Sequence, residues 1–159
     1  SPFAKAAEDR NSDATEPAGA RRHIQQGRTG ETNMGKRVLV VDDEDIITLG
    51  LANLLGRQGY EVATAASGQE AIAAIAAARP DIVVLDVLMP DRDGYDICET
   101  IRRGDAGRDI AIVLMGTASR PSEIGKALAL GAASYIAKPF SANELIAVVE
   151  EAAFSGGRA

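Results

Sequence analysis

The fold of this chain is decided by the stretch Asp81-Ile82-Val83-Val84-Leu85-Asp86-Val87-Leu88-Met89-Pro90. The four apolar residues that precede Asp86, two of them valine, are typical of a strand buried on both faces of a sheet. In open parallel α/β sheets, functional groups follow the carboxyl ends of the strands. Asp86 is therefore a candidate functional residue, although an aspartate that only starts the turn before Asp91–Gly94 gives the same local pattern.

Short apolar runs alternate with helical periodicity along the rest of the chain. Strands are predicted over Val38–Val41, Glu61–Ala65, Ile82–Leu85, Ile110–Met115 and Ala133–Ala137. A helix is predicted after each strand, with starts marked by the capping boxes at Ser67–Glu70 and Ser141–Glu144 and ends marked by Gly59 and Gly131. Five strand–helix units with short loops predict a doubly wound parallel sheet with helices on both faces, in a single domain.

The first part of the chain differs in composition from the rest. Residues 1–35 contain almost no Val, Ile or Leu, so they bury too little apolar surface to offset the entropy of ordering. We expect an N-terminal tail or linker over residues 1–35, a folded domain over 36–154 and a short C-terminal tail over 155–159.

Composition excludes several classes of protein. The net charge of −6 argues against a nucleic-acid-binding surface, which needs a basic face. Cys98 is the single cysteine, so no disulfide framework is present and a reducing compartment fits. No apolar run approaches the roughly 20 residues of a membrane span. We therefore expect a cytoplasmic protein without membrane contact.

Polar side chains follow four of the predicted strands. Asp42 and Asp43 follow the first strand, Asp86 the third, Thr117 the fourth and Lys138 the fifth. Two carboxylates about 4 Å apart repel by about 4 kcal/mol at an effective dielectric near 20, and a hard divalent cation removes that repulsion. Oxygen ligands favour Mg²⁺ over Zn²⁺, and a lysine and a hydroxyl bind phosphoryl oxygens. The set predicts phosphoryl transfer onto or off Asp86.

Each of these residues also has an ordinary structural interpretation. Asp42 and Asp43 suit the start of the first helix, Lys138 suits a surface turn before Pro139, and Thr117 suits a strand end. The functional interpretation depends on all of them occurring together, in this order.

Four segments together resemble the receiver domain of two-component response regulators. They are Val40–Glu44, Leu85–Pro90 with Asp93-Gly94, Thr117-Ala118 and Lys138-Pro139-Phe140, and the match covers about residues 36–154. The resemblance implies a flavodoxin-like sheet with strand order 2-1-3-4-5.

The resemblance also implies a phosphoacceptor and a metal site. Asp86 would accept a phosphoryl group from a phosphohistidine of a sensor histidine kinase, or from a phosphotransfer protein, supplied in trans. Asp43, Asp86 and the Leu88 backbone carbonyl would bind Mg²⁺ directly, with Asp42 acting through water. Mn²⁺ would be a substitute for Mg²⁺.

A second group of residues matches the family's switch. Lys138 would contact a phosphoryl oxygen, and Thr117 would move toward the phosphate. Tyr135 would turn inward with Thr117, although a half-buried strand tyrosine is the alternative. Ala118 and Pro139 would support the site from adjacent positions.

The resemblance implies a signalling switch rather than an enzyme with an external substrate. It would catalyse only its own phosphorylation and dephosphorylation, and would change its surface for a downstream protein target. A homodimer linked to phosphorylation, no direct nucleic-acid contact and no output domain in this chain are further expectations.

Three other functions remain as alternatives. A small magnesium phosphohydrolase with an aspartyl-phosphate intermediate usually carries a second acid where Leu88 stands here. A flavin-binding electron carrier needs a phosphate loop in place of the acidic Asp42–Asp45 and more aromatic residues than the 4% present. A scaffold receiver that never takes phosphate fits poorly with a full set of site residues. Leu88, and Gly116 before Thr117, also depart from the family's common pattern.

Overall fold

The computed structural model describes residues 35–117 and 120–156. The predicted N-terminal tail lies outside these residues except for Gly35, as do Ala118 and residues 157–159. The described strands are β1 (Arg37–Val41), β2 (Glu61–Ala65), β3 (Ile82–Asp86), β4 (Ala111–Gly116) and β5 (Ser134–Ala137). The described helices are α1 (Asp45–Arg57), α2 (Gly68–Ala77), α3 (Gly94–Arg103), α4 (Pro121–Ala129) and α5 (Ala142–Gly156). A 3-10 turn over Asp105–Asp109, which the sequence did not predict, precedes β4.

The strands form one parallel sheet in the order β2-β1-β3-β4-β5. The predicted flavodoxin-like fold is therefore confirmed. Strands β3 and β4 are buried along their whole length because helices cover both faces of the sheet. In such a sheet, functional groups are presented at the carboxyl ends of the strands.

The period of two in a strand divides the core into two layers. Leu39 and Val41 pack in the layer that α2, α3 and α4 cover. Val38 and Val40 point the other way and pack with residues of α1 and α5. Burial of each such side chain contributes about 1.5–3 kcal/mol, so both layers stabilise the sheet.

The two predicted capping boxes differ in the structure. At α5 the box is complete, because the Ser141 N–H donates to Glu144 Oε1 at 2.8 Å and the Glu144 N–H donates to Ser141 Oγ at 3.0 Å. At α2 the Glu70 N–H donates to Ser67 Oγ, but the Glu70 carboxylate accepts from the Ala66 N–H instead. The second half of the α2 box is therefore shifted by one residue.

The ends of the helices follow the predicted stops closely. Gly59 and Gly131 follow α1 and α4 with positive φ values of 101° and 98°, as a left-handed helix end requires. Helix α5 continues through Gly156, beyond the predicted domain end at residue 154.

Among the described residues, no helix has the length and apolar character to cross a membrane.

Candidate functional site

The ends of β1, β3 and β5 bring three charged side chains into contact. Lys138 Nζ lies 3.2 Å from Asp42 Oδ2 and 3.3 Å from Asp86 Oδ1. Both acids are buried, with side-chain exposures of 0% and 8%, because their strands are central in the sheet. Lys138 approaches from the edge strand and is joined to Pro139 by a cis peptide bond. The structure thus brings together polar side chains that follow the first, third and fifth strands.

Three carboxylates at this edge are close enough to share one cation. Asp42, Asp43 and Asp86 each offer an oxygen, and these oxygens all lie within 4.8 Å of one another. Asp43 is exposed, whereas the other two acids are buried. Hard oxygen donors with an opening to solvent fit Mg²⁺, which keeps several waters when bound. The residues present therefore fit the implied cation.

The charges of the cluster shift the pKa values of its members. Burial raises the pKa of Asp86, the neighbouring Asp42 carboxylate raises it further, and Lys138 opposes both. Burial alone would lower the pKa of Lys138, but the Asp86 and Asp42 carboxylates outweigh it and raise that pKa. The site therefore holds an excess of negative charge that a cation would relieve.

The loop between β3 and α3 carries the remaining predicted metal-site residue. The Leu88 N–H donates to Asp86 Oδ1 at 3.4 Å, while the residue is 68% exposed. The loop closes where the Gly94 N–H donates to the Val87 carbonyl at 2.7 Å. A Cβ at Gly94 would lie 2.6 Å from the Asp86 carbonyl oxygen, so only glycine permits this closure.

The predicted switch residues occupy the neighbouring strands. Thr117 directly follows β4 and is exposed, and within the described residues no hydrogen bond joins its side chain to the three acids. Tyr135 on β5 is half-buried, and its hydroxyl lies against Gly116 at the end of β4. The structure thus places Tyr135 beside the residue that precedes Thr117.

Sequence reasoning missed two contacts near the site. The Asp91 carboxylate accepts hydrogen bonds from the N–H groups of Gly68 and Gln69 at the start of α2. The Tyr95 hydroxyl on α3 donates to Glu123 Oε1 on α4 at 2.9 Å. Both contacts join residues more than twenty positions apart, so no local pattern indicates them.

Comparison with known families identifies this arrangement. A sequence model of the response regulator receiver domain matches residues 38–150. The chain belongs to the response regulator receiver domain family. It is thus a receiver domain of two-component signalling, as the sequence predicted.

Two bacterial relatives show how far the similarity extends. Response regulator MprA of Mycolicibacterium vanbaalenii is 41% identical over 72% of this chain and 48% of its own length. The alkaline phosphatase synthesis transcriptional regulatory protein PhoP of Bacillus subtilis is 38% identical over 74% of this chain and 48% of its own length. The receiver chain thus spans about half the length of these relatives.

Solved receiver structures share the fold. The chemotaxis response regulator CheY4 of Vibrio cholerae has a TM-score of 0.72 at 31% identity, covering 75% of this chain and 99% of its own. The receiver domain of the Francisella response regulator 1452 has a TM-score of 0.71 at 26% identity, covering 76% of this chain and 98% of its own.

Proposed function

We propose that this receiver domain accepts a phosphoryl group on Asp86 and uses it as a signalling switch. The observation that carries the proposal is the position of Asp86, whose carboxylate lies within 4.8 Å of oxygens of two further acids and 3.3 Å from Lys138 Nζ. A buried carboxylate without a charged partner would take up a proton and become neutral. The Asp86 carboxylate instead has an amine 3.3 Å away.

The proposed chemistry is a nucleophilic displacement at phosphorus. An Asp86 carboxylate oxygen forms the new P–O bond while the P–N bond of the donor phosphohistidine breaks, and the leaving imidazole takes up a proton. Asp42, Asp43, Asp86 and the Leu88 carbonyl would hold Mg²⁺, which neutralises charge on the transferred group. Mn²⁺, which also accepts oxygen ligands, would substitute.

The added charge supplies the switch. Phosphorylation brings roughly −1.5 to −2 charge and new acceptor oxygens to the site. Lys138 would bind one of these oxygens and Thr117 would move toward another, with Ala118 and Pro139 supporting the two residues. Tyr135 and the surface over residues 117–150 would follow, and that surface would bind a downstream protein or a second copy of the chain.

The partners follow from the same proposal. The donor would be a sensor histidine kinase or a phosphotransfer protein supplied in trans. The relative PhoP is named as a transcriptional regulatory protein, so the expected absence of nucleic-acid contact finds no support among the relatives. It rests only on the acidic charge of this chain.

The residue at position 88 argues against the phosphohydrolase alternative. Leu88 stands where that class places a second acid, and its exposed apolar side chain supplies no proton. We therefore expect a phosphorylated protein rather than continuous hydrolysis of an external substrate.

Intact-mass analysis tests the proposal. Incubation with acetyl phosphate and Mg²⁺ should add the mass of one phosphoryl group to the wild type and to Asp109→Asn, but not to Asp86→Asn. Asp109 is a suitable control because it is an exposed acid in the 3-10 turn before β4, away from the carboxyl ends of the strands. An adduct of equal yield on Asp86→Asn would overturn the proposal, and so would rapid release of free phosphate by that variant.

A further inference from the structure

Two backbone N–H groups at the start of α2 donate to an acceptor from a distant loop. The first N–H groups of a helix lack partners within the helix. Here Ser67 Oγ accepts from the Glu70 N–H at 3.1 Å, which serves one of them. The N–H groups of Gly68 and Gln69 donate instead to Asp91 Oδ1 and Oδ2, at 3.0 and 3.1 Å. A carboxylate from the β3–α3 loop therefore completes the cap of a helix that is remote in sequence.

Side chains of three successive residues, Asp91, Arg92 and Asp93, fix the tip of the loop. Arg92 Nε donates to Asp96 Oδ2 at 2.8 Å along α3, and Asp93 Oδ1 accepts from the Asp96 N–H at 2.9 Å as the cap of α3. Both of these contacts tie the loop only to its own following helix. Asp91 ties it across to α2, so three successive residues determine where the loop lies.

The position of the loop matters for the cation site. The loop leaves β3 at Asp86 and passes through Leu88, whose N–H already contacts the Asp86 carboxylate. Met89 is buried in the core beyond it. A shift of the loop tip toward solvent would move the Leu88 backbone relative to Asp86 and Asp43. Mg²⁺ demands near-octahedral geometry, so it is sensitive to such a shift.

We propose that Asp91 is a positioning residue for the cation site, holding the β3–α3 loop against the first turn of α2. This inference rests on the proposed function, because it takes the Leu88 carbonyl as a ligand of the cation. Groups that orient metal ligands from outside typically change metal affinity by about 10–100-fold when removed. The Asp91 carboxylate is ionised for this role, because the N–H groups of Gly68 and Gln69 lower its pKa.

A matched pair of variants separates positioning from simple helix capping. Asp91→Ala removes the cap and the tie to the loop, whereas Ser67→Ala removes a cap of the same helix turn and leaves the loop tie in place. Both variants should lose stability. Mg²⁺ titrations followed by backbone amide chemical shifts should give a dissociation constant about tenfold higher for Asp91→Ala and unchanged for Ser67→Ala. Asp91→Asn, which keeps one acceptor oxygen, should fall between the wild type and Asp91→Ala.

The outcomes distinguish this inference from the proposed function. Wild-type Mg²⁺ affinity in a folded Asp91→Ala would overturn the inference and leave the proposed function intact. An equal loss of affinity in Ser67→Ala would also overturn it, since the effect would then come from weakening α2. Failure of the wild type to bind Mg²⁺ would overturn the cation site and the inference together. Thermal stabilisation by added Mg²⁺ provides a second readout that needs no phosphorylation.

Discussion

The space that a side chain on Gly116 would occupy is filled by the hydroxyl of Tyr135. A Cβ built at Gly116 would meet the Tyr135 hydroxyl as its nearest atom and the Val87 side chain as a further neighbour. The end of β4 is thus shaped by the absence of a side chain, and Tyr135 lies partly inward in this structure. The position of this ring depends on a residue that the family resemblance marked as atypical.

Gly116→Ala should displace the Tyr135 ring. Packing one extra methyl group into this contact should lower the free energy of unfolding by about 1–3 kcal/mol, measured by urea titration. Gly125→Ala is the control, because Gly125 lies on α4 with no atom within 4 Å of an added Cβ, and it should stabilise by about 0.5–1 kcal/mol. Tyr135→Phe should recover part of the loss in the double variant, since it removes the clashing hydroxyl. If the stability changes of Gly116→Ala and Tyr135→Phe simply added up in the double variant, the proposed clash between the two side chains would be contradicted.

Tyr95 links α3 to α4 through two interactions. Its hydroxyl donates to Glu123, and Lys126 Nζ lies 4.3 Å from the centre of its ring. Burial and the Glu123 carboxylate raise the pKa of Tyr95, so the hydroxyl remains a donor throughout the neutral range.

Tyr95→Phe should therefore weaken the attachment of α4 to α3 without creating a cavity in the core. Loss of the hydrogen bond should cost about 0.5–1.5 kcal/mol, and amide hydrogen exchange in α4 should accelerate more than exchange in α5. Exchange that accelerates equally in both helices would mean that the hydroxyl acts on global stability alone.

Asp86→Asn should stabilise the protein at neutral pH when divalent cations are absent. Burial and the Asp42 carboxylate raise the pKa of Asp86 above its ordinary value of 3.8. The stability that this group contributes is fully present below the unfolded pKa and is lost as pH rises through the folded pKa. Ionised Asp86 thus destabilises the fold at pH 7, and its removal should raise the free energy of unfolding.

The measurement is chemical unfolding in EDTA at pH 7 and at pH 5. The gain from Asp86→Asn should be smaller at the lower pH, and Asp109→Asn should change stability by less than about 0.5 kcal/mol at both. If Asp86→Asn were less stable than the wild type at pH 7, the attraction of Lys138 would have outweighed the repulsion.

Lys138→Met should make the fold more dependent on a cation. The substitution leaves Asp42 and Asp86 without the amine that lies 3.2 and 3.3 Å from them, which should cost about 1–3 kcal/mol at pH 7. Saturating Mg²⁺ should then raise the melting temperature more in Lys138→Met than in the wild type. Equal Mg²⁺-induced shifts in the two proteins would show that Lys138 does not compensate the acids.

Local sequence patterns were enough to predict the strands and the helix ends of this protein. The apolar runs at Val38–Val41 and Ile82–Leu85 predicted buried strands because a residue buried on both faces of a sheet must be apolar at every position. Gly59 and Gly131 marked helix ends because glycine adopts positive φ without a steric cost. The succession of strands and helices then placed polar residues at strand ends, which is why candidate site residues could be proposed from the sequence alone.

The order of the strands and the contacts across the site were decided by the tertiary structure. The strand order was implied by the family resemblance and not by periodicity, because an apolar run does not encode which strand lies beside it. Asp42 meets Lys138 across 96 positions, and Asp91 meets Gly68 across 23. Such contacts exist only once the sheet and its two helical layers are assembled, since only the assembled fold brings residues so far apart in sequence within hydrogen-bonding distance. The sequence thus supplied the chemical groups, and the packing of β1, β3, β5 and α2 determined which of them act on one another.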